Sequence, residues 1–118
     1  MINNKIQSLY DLFTQQLLKN PDSKFLFDKI NSKWRGLTLG EINNKVKSIQ
    51  FYFKKKNVKK GDRIFLLSSS RSEWFLIDIA IQSMGAITVP SFTTNNISDN
   101  KFIIEDSKPK IILSLIHI

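Results

Sequence analysis

Cysteine is absent from this 118-residue chain, and histidine occurs once, at position 117. The first absence removes disulfides and thiolate metal ligands and fits a reducing compartment. The second leaves no His-based metal site or catalytic triad within the chain. No apolar run approaches the roughly 18 residues that a membrane-spanning helix needs. The segment Met1 to Ser8 is polar, without the continuous apolar stretch of a secretory signal. A cytoplasmic protein is expected.

Arginine is scarce too. The net charge is +8, yet only Arg35, Arg63 and Arg71 stand among eighteen basic residues, the rest being lysine. Readers of phosphates and bases favour arginine because its planar fork bonds bidentately, so specific nucleic-acid binding is not expected. Lysine, asparagine and isoleucine together supply about a third of the chain, well above average usage. An AT-rich coding sequence accounts for that enrichment more simply than a functional basic surface does.

What is present reads as an ordered series of elements within one domain or part of one. Ser8 can cap a helix over Leu9 to Lys19, with Leu9, Leu12, Phe13 and Leu17 on one face, and Asn20-Pro21 ends it. Lys24 to Ile30 alternates, Asn31-Ser32-Lys33 is turn chemistry, and Trp34 to Leu37 returns, giving a hairpin over 24–37. Thr38-Leu39-Gly40-Glu41 is a capping box opening a helix with Ile42, Val46, Ile49 and Phe53 as its buried stripe. Lys54, Lys55 and Lys56 suit the negative end of that helix dipole.

Strand and helix then alternate. Ile64 to Leu67 is short and continuously apolar, as in a strand buried on both faces. Ser68 to Ser72 turns into a helix over Glu73 to Met84, with Trp74, Ile77, Ile81 and Met84 aligned, and Gly85 is placed as its C-cap glycine. Ile87 to Val89 is a second strand closed by Pro90. Ser98 caps a short helix carrying Phe102 and Ile103, Ser107 to Pro109 breaks it, and Lys110 to Leu115 is a third strand. Two strand–helix–strand units imply a parallel sheet with right-handed crossovers. The fold class is α/β: helix, hairpin and capped helix, then βαβαβ over 63–115.

Several stretches resemble, in order, the N-terminal part of the adenylate-forming (AMP-binding) superfamily. Trp34 to Ile42 is similar to its hairpin and first capped helix, and Val58-Lys59-Lys60-Gly61-Asp62-Arg63-Ile64 to its "K-G-D-R-V" entry into a strand. Ser72-Glu73-Trp74 resembles "S-P-E-W", with Ser72 where proline is usual. Gly85-Ala86-Ile87-Thr88-Val89-Pro90 resembles "G-A-x-x-V-P", and Ile103 to Ser107 "I-L-x-D-S". Pro90 to Asn95 is similar to the "P-x-Y-T-T-N" of the long-chain fatty acid branch. The likeness covers about Leu9 to Leu115.

The resemblance implies a long-chain fatty acid–CoA ligase, which turns fatty acid, ATP and CoA into acyl-CoA, AMP and diphosphate. Residues 1–118 would be the N-terminal part of its AMP-binding domain. ATP, Mg2+ and CoA are implied for the full-length enzyme and none is expected to be bound by this segment. The family's "T-S-G-T-T-G-x-P-K-G" and "Y-G-x-T-E" motifs do not occur in the chain. No catalytic, cofactor-binding or metal-binding residue is therefore assigned, and the chain alone is expected to be inactive. Ser114 to Ile118 drifts from the family pattern, which suggests a truncated gene, a frameshift or a fragment. The residues fix neither acyl length nor oligomeric state.

Two features compete with this reading. Ser68-Ser69-Ser70-Arg71-Ser72 lies between strand and helix, where amides can receive an anion. It has no glycine for close phosphate approach, so capping and turn formation are the preferred role. Phe51 to Lys56, followed by Lys59-Lys60, mixes aromatics with charge. Its simplest role is a buried stripe ending in a solvated turn. The alternatives are a weak peripheral contact with anionic membrane, nucleic-acid binding by a basic remnant, or a non-catalytic interaction protein.

Overall fold

The computed structural model describes residues 8–69 and 72–114, apart from the Ile30 side chain. Residues 1–7, Ser70, Arg71 and 115–118, which include Leu115 and His117 of the expectations above, lie outside the described residues.

Helix α1 spans Leu9–Lys19, and Ser8 caps it by accepting from the Asp11 amide at 3.1 Å. Of its predicted stripe only Phe13 is buried; Leu17 is half-buried, while Leu9 and Leu12 are 58% and 38% exposed. Both leucines line an open groove of about 330 Å³ that α1 forms with Phe25 and Phe75. The turn that follows ties α1 to the next helix, since the Pro21 carbonyl accepts from Gly40 and that of Ser23 from Leu39, both at 2.9 Å.

Strands β1 (Lys24–Ile30) and β2 (Lys33–Thr38) pair antiparallel. Their turn is the two residues Asn31 and Ser32, at φ of 50° and 65°, the left-handed geometry that matches strand twist. Lys33 pairs with Ile30 and belongs to the strand. Helix α2 (Leu39–Lys55) opens on the predicted capping box: the Glu41 amide donates to Thr38 Oγ1 and the Thr38 amide to Glu41 Oε1, both at 3.1 Å. Ile42, Val46 and Phe53 are fully buried and Ile49 is half-buried.

Beyond α2 come β3 (Arg63–Leu67), α3 (Ser72–Ser83), β4 (Ile87–Ser91), α4 (Ile97–Ser107) and β5 (Ile111–Ser114). The three strands form one parallel sheet in the order β4-β3-β5, with Ile64 opposite both Thr88 and Ile111. Ile64, Phe65 and Leu66 of the central strand are at most 1% exposed. The α/β class and the parallel arrangement are as expected. Strand β4 runs through Pro90, which pairs opposite Leu66, rather than closing before it. Proline is tolerated there because β4 lies at the edge of the described sheet.

Two expectations are corrected. The buried residues of α3 are Ser72, Leu76, Ile79, Ala80 and Ile81. Trp74 and Ile77 are only half-buried, and Met84 lies past the helix end. Helix α3 touches α1, α2, β1 and β4. It is therefore apolar nearly all round, and periodicity cannot single out a face. The second correction concerns α4, whose N-cap is Asn96, two residues before Ser98. Asn96 Oδ1 accepts from the Asp99 amide at 2.8 Å, and Asp99 closes the box. Ser98 donates to Asn96 Oδ1 at 2.7 Å and braces the cap. Gly85, at φ of 70°, follows α3 in a Schellman arrangement: the Ala86 amide reaches the Ile81 carbonyl and the Gly85 amide that of Gln82.

Candidate functional site

Ligands of open parallel sheets collect beyond the carboxyl ends of the strands. That edge carries Ser68 after β3 and Ser91 at the end of β4, both buried. The Ser68 amide donates to the Ser91 carbonyl at 3.2 Å, extending the pairing past the sheet. Ser91 Oγ donates to Asn100 Oδ1 and accepts from Asn95 Nδ2 at 2.9 Å, which ties the loop after β4 to the first turn of α4. Ser68 Oγ donates to the Ser69 carbonyl at 2.7 Å, and Ser72 Oγ to the Asp28 carboxylate of the hairpin.

These bonds decide what the edge can do. A hydroxyl has one proton to give, and Ser68, Ser72 and Ser91 each give it to a protein oxygen. Asp28 also places a carboxylate beside the start of α3, where an incoming phosphate would be repelled. Among the described residues of this loop, the Ser68 and Ser72 hydroxyl protons are thus engaged within the protein. Ser70 and Arg71 lie outside the described residues. The Ser91–Asn95–Asn100 network is absent from the sequence reading. Its only signal is the run of short polar side chains after Pro90, with Asn100 nine residues beyond Ser91.

A cleft of about 430 Å³ lies on the β4 side of α3, lined by Trp74, Asp78, Thr88 and Pro90. Asp78 accepts there from Thr88 Oγ1 at 2.6 Å and from Gln82 Nε2 at 3.0 Å, one bond on each oxygen. The buried indole Nε1 of Trp74 has no hydrogen-bond partner among the described residues.

The opposite edge, where the strands begin, is charged. Asp62 accepts from the Lys59 amide at 2.7 Å and stands 3.4 Å from the Lys110 ammonium. The Lys59 amide, with help from Lys110, holds its carboxyl below the ordinary carboxylate value. Glu41 is lowered likewise, chiefly by the Thr38 amide of the capping box. The lysines singled out in the sequence, Lys54, Lys55, Lys56, Lys59 and Lys60, are all exposed, with Phe51 and Tyr52 beside them.

An ATP–Mg2+ complex needs converging carboxylates for the metal and free donors for the phosphates. Among the described residues no three His, Cys, Asp or Glu side chains converge as a metal site, and the buried hydroxyls are committed to protein acceptors. These residues do not fit the nucleotide, and no step of its chemistry is assigned to them. No described helix is long and apolar enough to cross a membrane.

The family profile described as AMP-binding enzyme matches residues 13–117. The fatty acid AMP ligase from Legionella pneumophila superposes with a TM-score of 0.86 at 21% identity, covering 98% of this chain and 21% of that one. NpsA of Klebsiella oxytoca in complex with 3-hydroxyanthranilyl-AMSN gives 0.81 at 17% identity, covering 93% and 22%. A four-domain nonribosomal peptide synthetase, AB3403, bound to AMP and glycine, gives 0.80 at 22%, covering 92% and 8%. At such identities the likeness speaks for the fold alone. The chain spans about a fifth of the length of the first two enzymes. No curated protein matches it.

Proposed function

We propose, from the premise that this chain belongs to the AMP-binding enzyme family, that it is the N-terminal scaffold of a fatty acid-activating ligase. In the whole enzyme a fatty carboxylate oxygen attacks the α-phosphorus of ATP, pyrophosphate leaves, and an acyl-adenylate forms. The thiol of CoA then displaces AMP to give the thioester. Residues 8–114 contribute the start of the parallel sheet and the helices against it, and further chain supplies the phosphate loop and the lid. The 118 residues alone are inactive in this reading, because neither "T-S-G-T-T-G-x-P-K-G" nor "Y-G-x-T-E" occurs among them.

The observation that carries the reading is the parallel order β4-β3-β5, with the "K-G-D-R", "G-A-x-x-V-P" and "T-T-N" stretches at its strand entries and exits. The fatty acid branch draws support from the residues Pro90 to Asn95. The Legionella neighbour, solved with acyl adenylate and pyrophosphate, acts on the same class of acid. NpsA carries an aryl analogue instead, so the acid class is the part to test. The DNA downstream of codon 118 is to be read for a Ser/Thr/Gly-rich phosphate loop, in frame or shifted by a frameshift. The product spanning both is then assayed for pyrophosphate exchange with fatty, aryl and amino acids. Exchange with long-chain fatty acids, followed by CoA thioester, is expected. A preference for aryl or amino acids overturns the branch, and the absence of any phosphate loop overturns the ligase.

A further inference from the structure

The amino edge of the sheet gathers the chain's charge in a way that composition alone does not require. Residues 54–63 hold six cations against the single carboxylate of Asp62, and Lys108 and Lys110 are brought to the same edge by the turn before β5. The loops there are cross-tied. The Gly61 amide donates to the Gly85 carbonyl at 2.9 Å, the Ile87 amide to that of Asp62 at 2.8 Å, and the Lys110 amide to that of Arg63 at 2.7 Å. Lys110 Nζ also donates to the Asn57 carbonyl. The result is a braced surface, so little loop ordering opposes docking on it.

We propose that this edge, with the last turn of α2, is a docking surface for an anionic lipid bilayer. Phe51 is 61% exposed and Tyr52 is 42% exposed. The Lys55 ammonium lies 4.8 Å from the Phe51 ring centroid and that of Lys56 5.7 Å from Tyr52. Apolar rings capped by flexible lysines suit a headgroup layer, where the ring enters the acyl boundary and the ammonium stays with the phosphates. The acidic groups nearby do not cancel the patch. Asp62 is held by Lys59 and Lys110, and Glu105 pairs with Lys101 at 3.9 Å, leaving Asp106.

Lipid fits better than the other polyanions or a protein. Arg63 donates one N–H to the Ser107 carbonyl at 3.0 Å and is the sole arginine among the cations of residues 54–63, where a reader of bases or phosphodiesters would favour the bidentate arginine fork over lysine. Each ring carries a lysine ammonium over one face, which a stacking base would have to displace or avoid. Exposed lysine is depleted at protein interfaces. The surface is independent of which acid the enzyme activates.

The test is co-sedimentation of the full chain with phosphatidylcholine vesicles, with and without phosphatidylglycerol, at low and high salt. Binding is expected only with the anionic lipid and is expected to fall steeply with salt. The triple variant Lys54→Gln, Lys55→Gln, Lys56→Gln should lose about a hundredfold in affinity, from the usual effect per surface lysine. Lys24→Gln, Lys29→Gln, Lys33→Gln removes the same charge from the hairpin and should lose under about tenfold if only net charge is felt there. As a measurement that keeps every lysine, the fluorescence added by Phe51→Trp, taken as the difference from the parent chain, should shift to the blue on anionic vesicles. Equal losses in the two triples, binding to pure phosphatidylcholine, no shift in the added indole emission, or tighter binding to duplex DNA than to vesicles would each overturn the proposal.

Discussion

Ile64 and Ile112 allow the strand order to be tested with one chemical change made at two places. Both are isoleucines in neighbouring parallel strands, but Ile64 is fully buried in the central strand while Ile112 is 55% exposed in β5. Truncation to alanine removes three carbons, worth about 0.8 kcal/mol each when transferred from water to a core. At Ile64 a cavity term adds to this, because Ile42, Val46 and Ile81 belong to the same packed cluster and can close the gap only in part. The expected loss is roughly 3–4 kcal/mol for Ile64→Ala. For Ile112→Ala about half the transfer term applies and no cavity forms, leaving roughly 1 kcal/mol. Urea unfolding followed by circular dichroism should place the Ile64→Ala midpoint well below that of Ile112→Ala. With slopes of about 1–3 kcal/mol per molar the two midpoints should differ by about 1 M or more. Equal midpoints, or a larger fall at Ile112, would mean that β3 does not lie between β4 and β5.

The cap of α4 separates two candidate residues. Asn96→Ala should lower stability by about 1 kcal/mol and Ser98→Ala by a few tenths, since only Asn96 accepts from the Asp99 amide; the reverse order in urea midpoints would restore Ser98 as the cap. The lowered carboxyl of Asp62 links stability to pH. Its folded-state value lies below the unfolded one, so its contribution is fully present above the unfolded value and disappears as pH falls through the folded value. Asp62→Asn should therefore flatten the acid limb of a midpoint-against-pH curve, and an unchanged limb would show that the Lys59 and Lys110 bonds do not matter.

What could be read from the sequence was local chemistry. Ser8 and Thr38 each accept an amide three residues on, a bond set by near neighbours, so the starts of α1 and α2 are visible in the residues themselves. Gly85 signals its left-handed backbone in the same way. At Asn96 two good caps compete within three residues, and the outcome turns on Asp99 standing where it can close the box. In α3 the failure has another cause. Leu76, Ile77, Ile79, Ala80 and Ile81 are all apolar, and which of them are buried depends on four neighbouring elements distant in the chain.

The same division between near and distant partners governs the site. The serines after β3 were visible as a strand-to-helix turn, but whether their protons were free depended on Asp28, 44 residues before Ser72. Among the described residues, Ser72 then has its hydroxyl proton on Asp28 and Ser68 has its own on the Ser69 carbonyl. At the other edge, the lysines of 54–60 looked like drift because lysine is common throughout the chain. The parallel sheet changes their meaning: all three strands begin at one edge, so the turn before β5 brings Lys110 beside Arg63 and onto the loop that follows α2. A compositional bias spreads charge over a surface. Here topology concentrates it beside two exposed rings, which is why the carboxyl edge of this segment carries structure and the amino edge carries the testable interaction.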